Sequence, residues 1–405
     1  MNLTIAHPDG HCKGALQITG SKSETNRLLL LQALFSGFEV ENKSNADDSV
    51  VMEAALKTQE STIDVHHAGT AMRFLTAFFS HQQGREVILT GSQRMQERPI
   101  KILVEALRSL GASISYVKKE GYPPLKIEGK QLKGGHVTLP ADVSSQYISA
   151  LLMMGPTLEQ GISLSLQGKI TSVPYIEMTL SLLNNFGVST RFQGNTIEVD
   201  FQTHILRKTQ VVESDWSSAS YFFSIVALSQ TASIQLNSYK KNSLQGDAIL
   251  MEIYRSLGVE SIIEGHTLFL TKKEHPLPER IRWDLTTAPD IAQTLAVSCF
   301  GLGVGCDLEG LHTLKIKETD RLEALYTELT KLGANISVTD KSLHLAPGGK
   351  LKPNCSIPTY NDHRMALAFA PLGLKTPLTI EEAEVVSKSY PDYWADLKNL
   401  NFNIL

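Results

Sequence analysis

One kind of segment recurs six times along the chain: a small or polar cluster that opens an apolar run of helical length. The copies are GSKSETNRLLLLQAL near Ser21, HAGTAMRFLTAFF near Gly69, DVSSQYISALLM near Ser144, SDWSSASYFFSIVAL near Asp215, APDIAQTLAVSCF near Asp290 and NDHRMALAFAPLG near Asp362. After a shorter first interval of about 48 residues, the copies stand roughly 73 apart. A second kind follows each of the first and predicts a helix, a glycine stop, a strand, a turn and a strand. Its clearest copies are ALRSLGASISYV, LSLLNNFGVSTRF, IYRSLGVESII and YTELTKLGANISV, with weaker ones at MEAALKTQESTIDV and DLKNLNFNIL. In the clear copies Gly111, Gly187, Gly258 and Gly333 fall just past the last apolar position, where a left-handed cap costs least without a Cβ. Alternation in NTIEVDF and HTLFLTK is the period of strands.

Six helix-strand-helix-strand-strand units make either one closed ring or two domains of three, and 405 residues favour two cores over one. Repeats of this size also build binding arrays and solenoids, so the pattern leaves a non-catalytic scaffold open. Composition is that of a globular protein, 42% hydrophobic and 20% charged. The net charge of −4 argues against nucleic acid or an anionic membrane as the main partner. MNLTIAHPDG lacks the pattern of a secretory signal, and runs such as LLLLQALF are too short to span a bilayer, so a cytoplasmic location is expected. Cys12, Cys299, Cys306 and Cys355 show no CxxC spacing and are expected to be buried thiols.

The repeat starts carry the candidate chemistry. A helix N-terminus offers unpaired N–H groups and a partial positive charge, which suit phosphate or carboxylate. GSKSETNR adds Lys22, Ser23 and Arg27, although GALQITGSKS misses the spacing of a nucleotide-triphosphate loop. Arg73, Arg94, Arg98, Lys315, Lys317, Arg321, Arg364 and Lys388 place further cations near segment ends. Each has a bland explanation alone: Lys317, Glu318 and Arg321 as surface ion pairs, Asp290, Asp47, Asp48 and Asp215 as helix caps. The accumulation of cations, rather than any one cluster, points to two multiply charged ligands. His66 and His67 adjoin, but no second cluster at ligand spacing accompanies them, so no metal is expected.

GSKSETNR, AGTAMR, RMQERPI, SSQ, GDAI, KETDR, NDHRMA and PDYW occur in an order that resembles the 5-enolpyruvylshikimate-3-phosphate synthase family over the whole chain. The resemblance implies a two-domain inside-out α/β barrel of six repeated units, three per domain, with residues 1–20 plus 214–405 as one discontinuous domain and 21–213 as the other. It also implies an active site in the cleft between them. No cofactor is implied, and the family default is a monomer.

Carried over position by position, the resemblance implies Lys22, Ser23, Arg27, Ser144, Ser145, Gln146, Ser172, Tyr175, Asp290, Thr313 and Lys317 for shikimate 3-phosphate. For phosphoenolpyruvate it implies Lys22, Gly69, Arg98, Gln146, Arg321, Arg364 and Lys388, the arginines pairing anions by fork geometry. The implied reaction is addition of the 5-hydroxyl to phosphoenolpyruvate followed by elimination of phosphate. Asp290 with Lys317 would act as base, Glu318 would handle the methyl proton, and Lys22 and Lys388 would stabilise developing charge.

His67 stands where the family commonly has Asn before AGT, Phe74 where it has Pro after AMR, and Thr313 where it has Asn. The first two flank the implied phosphoenolpyruvate pocket and bear on glyphosate, a possible inhibitor for which Gly69 leaves room. Thr313 is expected to weaken or reroute one contact to shikimate 3-phosphate. Two rivals stand against this reading. The sister transferase acting on UDP-N-acetylglucosamine usually has a reactive cysteine in the region of SQRMQERP, where this chain has none. A catalytically inactive repeat protein predicts losses among the acid-base and cation positions, all of which are present.

Overall fold

A computed structural model describes residues 1–35, 37–170, 173–206 and 208–405. The repeat it shows is a strand, a buried helix, a second strand parallel to the first, an outer helix and an antiparallel hairpin. In one copy His11–Leu16 runs parallel to Thr231–Asn237, which pairs antiparallel with Thr267–Lys272, itself antiparallel to Val259–Glu264. The same order of four strands recurs in the sheets containing Arg280–Asp284, Thr62–Asp64, Gly135–Pro140 and Cys355–Ile357. The expected glycines end the outer helices, with φ of +99° at Gly111, +84° at Gly187, +81° at Gly258 and +104° at Gly333.

Two repeats depart from the pattern. The helix Asp47–Lys57 has no hairpin of its own; the strand that follows it, Thr62–Asp64, pairs with Glu86–Thr90 in the next repeat. That missing hairpin is why the first interval is short and why MEAALKTQESTIDV reads as a weak copy. In the last repeat Asn401, at φ +67°, takes the place of the glycine. Its hairpin is assembled from distant pieces: Asn403–Ile404 pairs with Leu3–Ala6, and Leu3–Ala6 with Leu378–Ile380.

The chain forms two compact units, Met1–Gly20 with Glu213–Leu405, and Ser21–Val212, and each has its own apolar core. Each contains three repeats. The first helix of a repeat is apolar nearly all round: every residue of Trp216–Leu228 except Ser217 is buried, as are Ala292–Phe300 and Ala71–Ser80. A helix without a polar face is stable only inside, so these helices form the centre and the sheets the outside, the inside-out α/β arrangement that was expected. The strands show the complementary alternation, as in Thr231–Asn237, whose second, fourth and sixth residues are buried. The central helices are packed along most of their length, and the second residue of each is partly exposed, which leaves their first turns open to a ligand.

Of the cysteines, Cys12, Cys299 and Cys306 are buried free thiols, but Cys355 is half-exposed, against expectation, because its short strand Cys355–Ile357 lies at the edge of its sheet. No described helix is long and apolar enough to cross a membrane.

Candidate active site

In both units second residues of the central helices come together. In Glu213–Leu405 these residues are Ser217, Asp290 and Arg364. Arg364 Nη2 lies 3.3 Å from Ser217 Oγ and 3.2 Å from Asp290 Oδ2. In Ser21–Val212 they are Ser23, Thr70 and Gln146, and Gln146 Nε2 donates to Thr70 Oγ1 at 3.0 Å. Sequence reading missed Ser217 and Thr70. Aligning the repeat starts at the second helical position is the signal that would have found them.

Asp290 does not cap its helix. It sits inside the turn Pro289–Ile291, whose cap position is Ala288, and its Oδ1 faces Arg321 Nη1 at 2.9 Å and Lys317 Nζ at 3.5 Å. Nor is KETDR a set of surface ion pairs. Arg321 is 2% exposed and donates from Nε to Asp362 at 2.6 Å and from Nη2 to Glu318 at 2.8 Å. Burial opposes its charge, but Asp362, Glu318 and Asp290 outweigh that and hold its pKa above the ordinary value. Arg364 is likewise held high, with burial again opposing and Asp290 the leading favourable charge. Its Nε is buried without a partner among the described residues. Asp362, fully buried, is the cap of its helix and accepts from the backbone N–H of Arg364 at 2.9 Å. Burial pushes the pKa of neighbouring His363 down to about 3, so this ring is neutral. Lys388 donates to the Asn361 carbonyl at 2.7 Å. Thr313 keeps its hydroxyl buried with no partner among the described residues.

In Ser21–Val212, Ser21 and Ser144 cap the first and third central helices. Lys22 Nζ is 3.4 Å from Asp48 Oδ2. Arg27 is 2% exposed and uses four of its five N–H bonds: Nε to Thr179 Oγ1 at 2.8 Å, Nη1 to the Ser23 carbonyl at 2.8 Å, and Nη2 to Ser149 Oγ at 2.9 Å and the Tyr175 carbonyl at 3.4 Å. The rings of Phe74 and Tyr175 lie 5.6 and 5.9 Å from its guanidinium carbon. Arg27 has its pKa pushed down to about 10 by burial, against the smaller opposing pulls of Tyr175 and Glu24. It therefore braces Ser23 and Tyr175 and has one Nη1 hydrogen left to offer. Phe74, where the family commonly has Pro, supplies one face of that brace.

Gly69, Arg73 and Arg98 form a second cationic spot. A Cβ on Gly69 would lie 2.7 Å from Arg98 Nη1 and 3.0 Å from Arg73 Nη1, so the missing side chain is what lets both guanidiniums approach the helix start. Arg73 donates to the Gly69 carbonyl at 2.8 Å, its Nε is buried without a partner among the described residues, and burial followed by the charge of Arg98 pushes its pKa down to about 10. Neither arginine has a carboxylate within ion-pair distance among the described residues. Ser145 is the first residue of its helix, and Ser172 lies outside the described residues. Arg94 and Lys315 are exposed and paired with Glu97 and Asp340, apart from these clusters. His67 Nε2 is 3.6 Å from Asp47. Among the described residues no three His, Cys, Asp or Glu side chains are grouped to hold a metal.

The chain has known relatives. A family model described as EPSP synthase (3-phosphoshikimate 1-carboxyvinyltransferase) matches residues 35–397. A 3-phosphoshikimate 1-carboxyvinyltransferase of Bacteroides fragilis is 48% identical over 398 residues, 97% of this chain and 96% of that protein. One from Tolumonas auensis is 35% identical over 433 residues, 99% and 100% of the two chains. In fold the chain resembles EPSP synthase from Acinetobacter baumannii, with a TM-score of 0.83 at 23% identity, covering 100% of this chain and 99% of that one. It also resembles the enolpyruvyl transferase NikO from Streptomyces tendae, with a TM-score of 0.75 at 14% identity and coverage of 100% and 98%. By sequence along nearly its full length, with the fold in agreement, the chain belongs to the EPSP synthase family, enzymes of the shikimate pathway that transfer the enolpyruvyl group of phosphoenolpyruvate to shikimate 3-phosphate.

Proposed function

We propose that the clusters described above divide the chemistry of that transfer, and that Asp290, held among Arg321, Lys317 and Arg364, is its centre. The 5-hydroxyl of shikimate 3-phosphate adds to C2 of phosphoenolpyruvate while C3 takes a proton and becomes a methyl. The tetrahedral intermediate then expels phosphate as that methyl returns a proton. A base is needed at the hydroxyl, an acid at the methylene and cations on the leaving phosphate.

Asp290, with Lys317 beside it, takes the hydroxyl proton, and Glu318 serves the methyl. Arg321, Arg364 and Lys388, with Lys22, Gly69, Arg98 and Gln146, receive phosphoenolpyruvate. Lys22, Ser23, Arg27, Ser144, Ser145, Gln146, Ser172, Tyr175, Asp290, Thr313 and Lys317 receive shikimate 3-phosphate, and Arg27 also fixes Ser23 and Tyr175 through their carbonyls. The observation that carries this reading is the Asp290 carboxylate shared by three cations. Such a group neutralises the cations until a substrate anion arrives, and is then released to act as a base. Glyphosate, an anion of similar charge, is expected to compete with phosphoenolpyruvate at the Gly69, Arg73 and Arg98 spot. The chain is expected to work as a monomer in the cytoplasm.

The test is phosphate release from phosphoenolpyruvate with shikimate 3-phosphate, shikimate or UDP-N-acetylglucosamine as acceptor. Rapid release with shikimate 3-phosphate alone is the expected result; release with the nucleotide sugar, or with none of them, overturns the reading.

A further inference from the structure

The GDAI segment, Gly246–Ile249, has no role in the chemistry above, yet it is tied to the start of the Trp216–Leu228 helix from several sides. Gln245 Oε1 accepts from the Trp216 backbone N–H at 3.0 Å, and its Nε2 donates to the Ser214 carbonyl at 2.9 Å and to Glu213 at 3.2 Å. Glu213 also accepts from the Trp216 indole at 2.9 Å, the Lys240 backbone N–H at 3.0 Å and Ser243 Oγ at 2.7 Å. These bonds hold Asp247 where its Oδ2 accepts a short hydrogen bond from Ser217. Ser217 Oγ in turn accepts from Arg364 Nη2, the atom that also reaches Asp290.

A serine hydroxyl has one proton and two lone pairs. Once its proton is committed to Asp247, only lone pairs remain for Arg364, and the hydroxyl must act toward the guanidinium as an acceptor. We propose that Asp247 is a positioning residue: by fixing the Ser217 hydroxyl as an acceptor it aims the Arg364 guanidinium, with its unpartnered Nε, at the incoming anion of phosphoenolpyruvate. This rests on the assignment of Arg364 to phosphoenolpyruvate made above. The charged groups facing Asp247 are Asp290, Arg364 and Asp215. Burial, then Asp290, pushes its pKa up to about 7, against the pull of Arg364 and Ser217 and with a smaller push from Asp215.

The experiment compares steady-state kinetics of the wild-type enzyme with Asp247→Ala, Asp247→Asn, Ser217→Ala and the double variant Asp247→Ala/Ser217→Ala, with thermal unfolding of each. Losing one charge-assisted path to an arginine is expected to raise KM for phosphoenolpyruvate about tenfold in Asp247→Ala and Ser217→Ala, with much smaller changes in kcat and in KM for shikimate 3-phosphate. The double variant is expected to be no worse than either single one, because both break the same path. Asp247→Asn keeps an oxygen for Ser217 and should restore most of the affinity. Unchanged KM in Asp247→Ala and Ser217→Ala, or additive losses in the double variant, overturns the proposal. Should Asp247→Ala fail to fold, Ser217→Ala and Asp247→Asn decide it alone. A wild-type enzyme inactive with this substrate pair would instead refute the function on which the proposal rests.

Discussion

Replacing Asp290 by Asn removes the charge at the centre of the cation cluster while keeping the side chain's shape. The Arg364 guanidinium then loses the single carboxylate within 4 Å of it among the described residues, whereas Arg321 keeps Asp362 and Glu318. At the 3.2 Å separation of Arg364 and Asp290, an effective dielectric of about 20 gives an attraction of about 5 kcal/mol. Relaxation and water reaching the 11%-exposed arginine side chain reduce this to a net loss of stability of about 2–4 kcal/mol. If Asp290 is only an ion-pair partner, kcat in the folded fraction changes little. If it is the base, kcat falls by about 10²–10⁴-fold. In either case, with one anion fewer near Arg364 and Arg321, phosphoenolpyruvate should bind Asp290→Asn at least as tightly as the wild type, so a fall in kcat is not a failure of binding. The assay is phosphate release at saturating substrates, with urea unfolding and equilibrium dialysis of phosphoenolpyruvate on the same preparation. A variant that is destabilised as calculated yet turns over within tenfold of the wild type refutes the assignment of Asp290 as base.

Arg27→Lys should lower stability by about 2–3 kcal/mol in urea unfolding, because a single ammonium cannot replace a fork that bonds Thr179, Ser149 and two carbonyls. Gly69→Ala should raise KM for phosphoenolpyruvate severalfold, with Tm unchanged or slightly higher, since the new methyl displaces Arg98 while alanine favours the helix by about 1 kcal/mol; an unchanged KM would show that Arg98 does not hold that substrate. His363 makes a pH prediction. Its pKa is 6.5 unfolded and about 3 folded, so in that window the unfolded chain binds more protons and stability falls as pH drops below 6.5, by at most about 1.4 kcal/mol per pH unit. His363→Gln should flatten this part of a Tm-against-pH curve.

Much of the fold was legible because a repeat multiplies weak signals. Four glycines at one relative position identify a helix stop more firmly than any one of them. What could not be read is set by partners far away in sequence: the last hairpin is completed by Leu3–Ala6, and nothing local to DLKNLNFNIL says so. The same holds for the site. Asp290 after Pro289 has the local signature of a cap, and only the approach of Arg321, Lys317 and Arg364 gives it another task. Arg27 stands near the start of its helix as a cation with no local sign of burial, and only the neighbouring Thr179 and Ser149 show it buried. Asp247 was in a recognised motif, but its bond to Ser217 depends on how a loop folds back over a helix start.

The strand Leu3–Ala6 imposes an order on synthesis. Its partners Leu378–Ile380 and Asn403–Ile404 leave the ribosome long after it does, roughly 20–75 s later at about 5–20 residues per second. Residues 21–212, whose pairings are all among themselves, are complete at half that time and are free to fold while Leu3 and Ile5 wait beside them without a sheet. A nascent chain of this protein therefore spends tens of seconds with this apolar strand unpaired, a period in which chaperone capture or misassembly competes with native pairing.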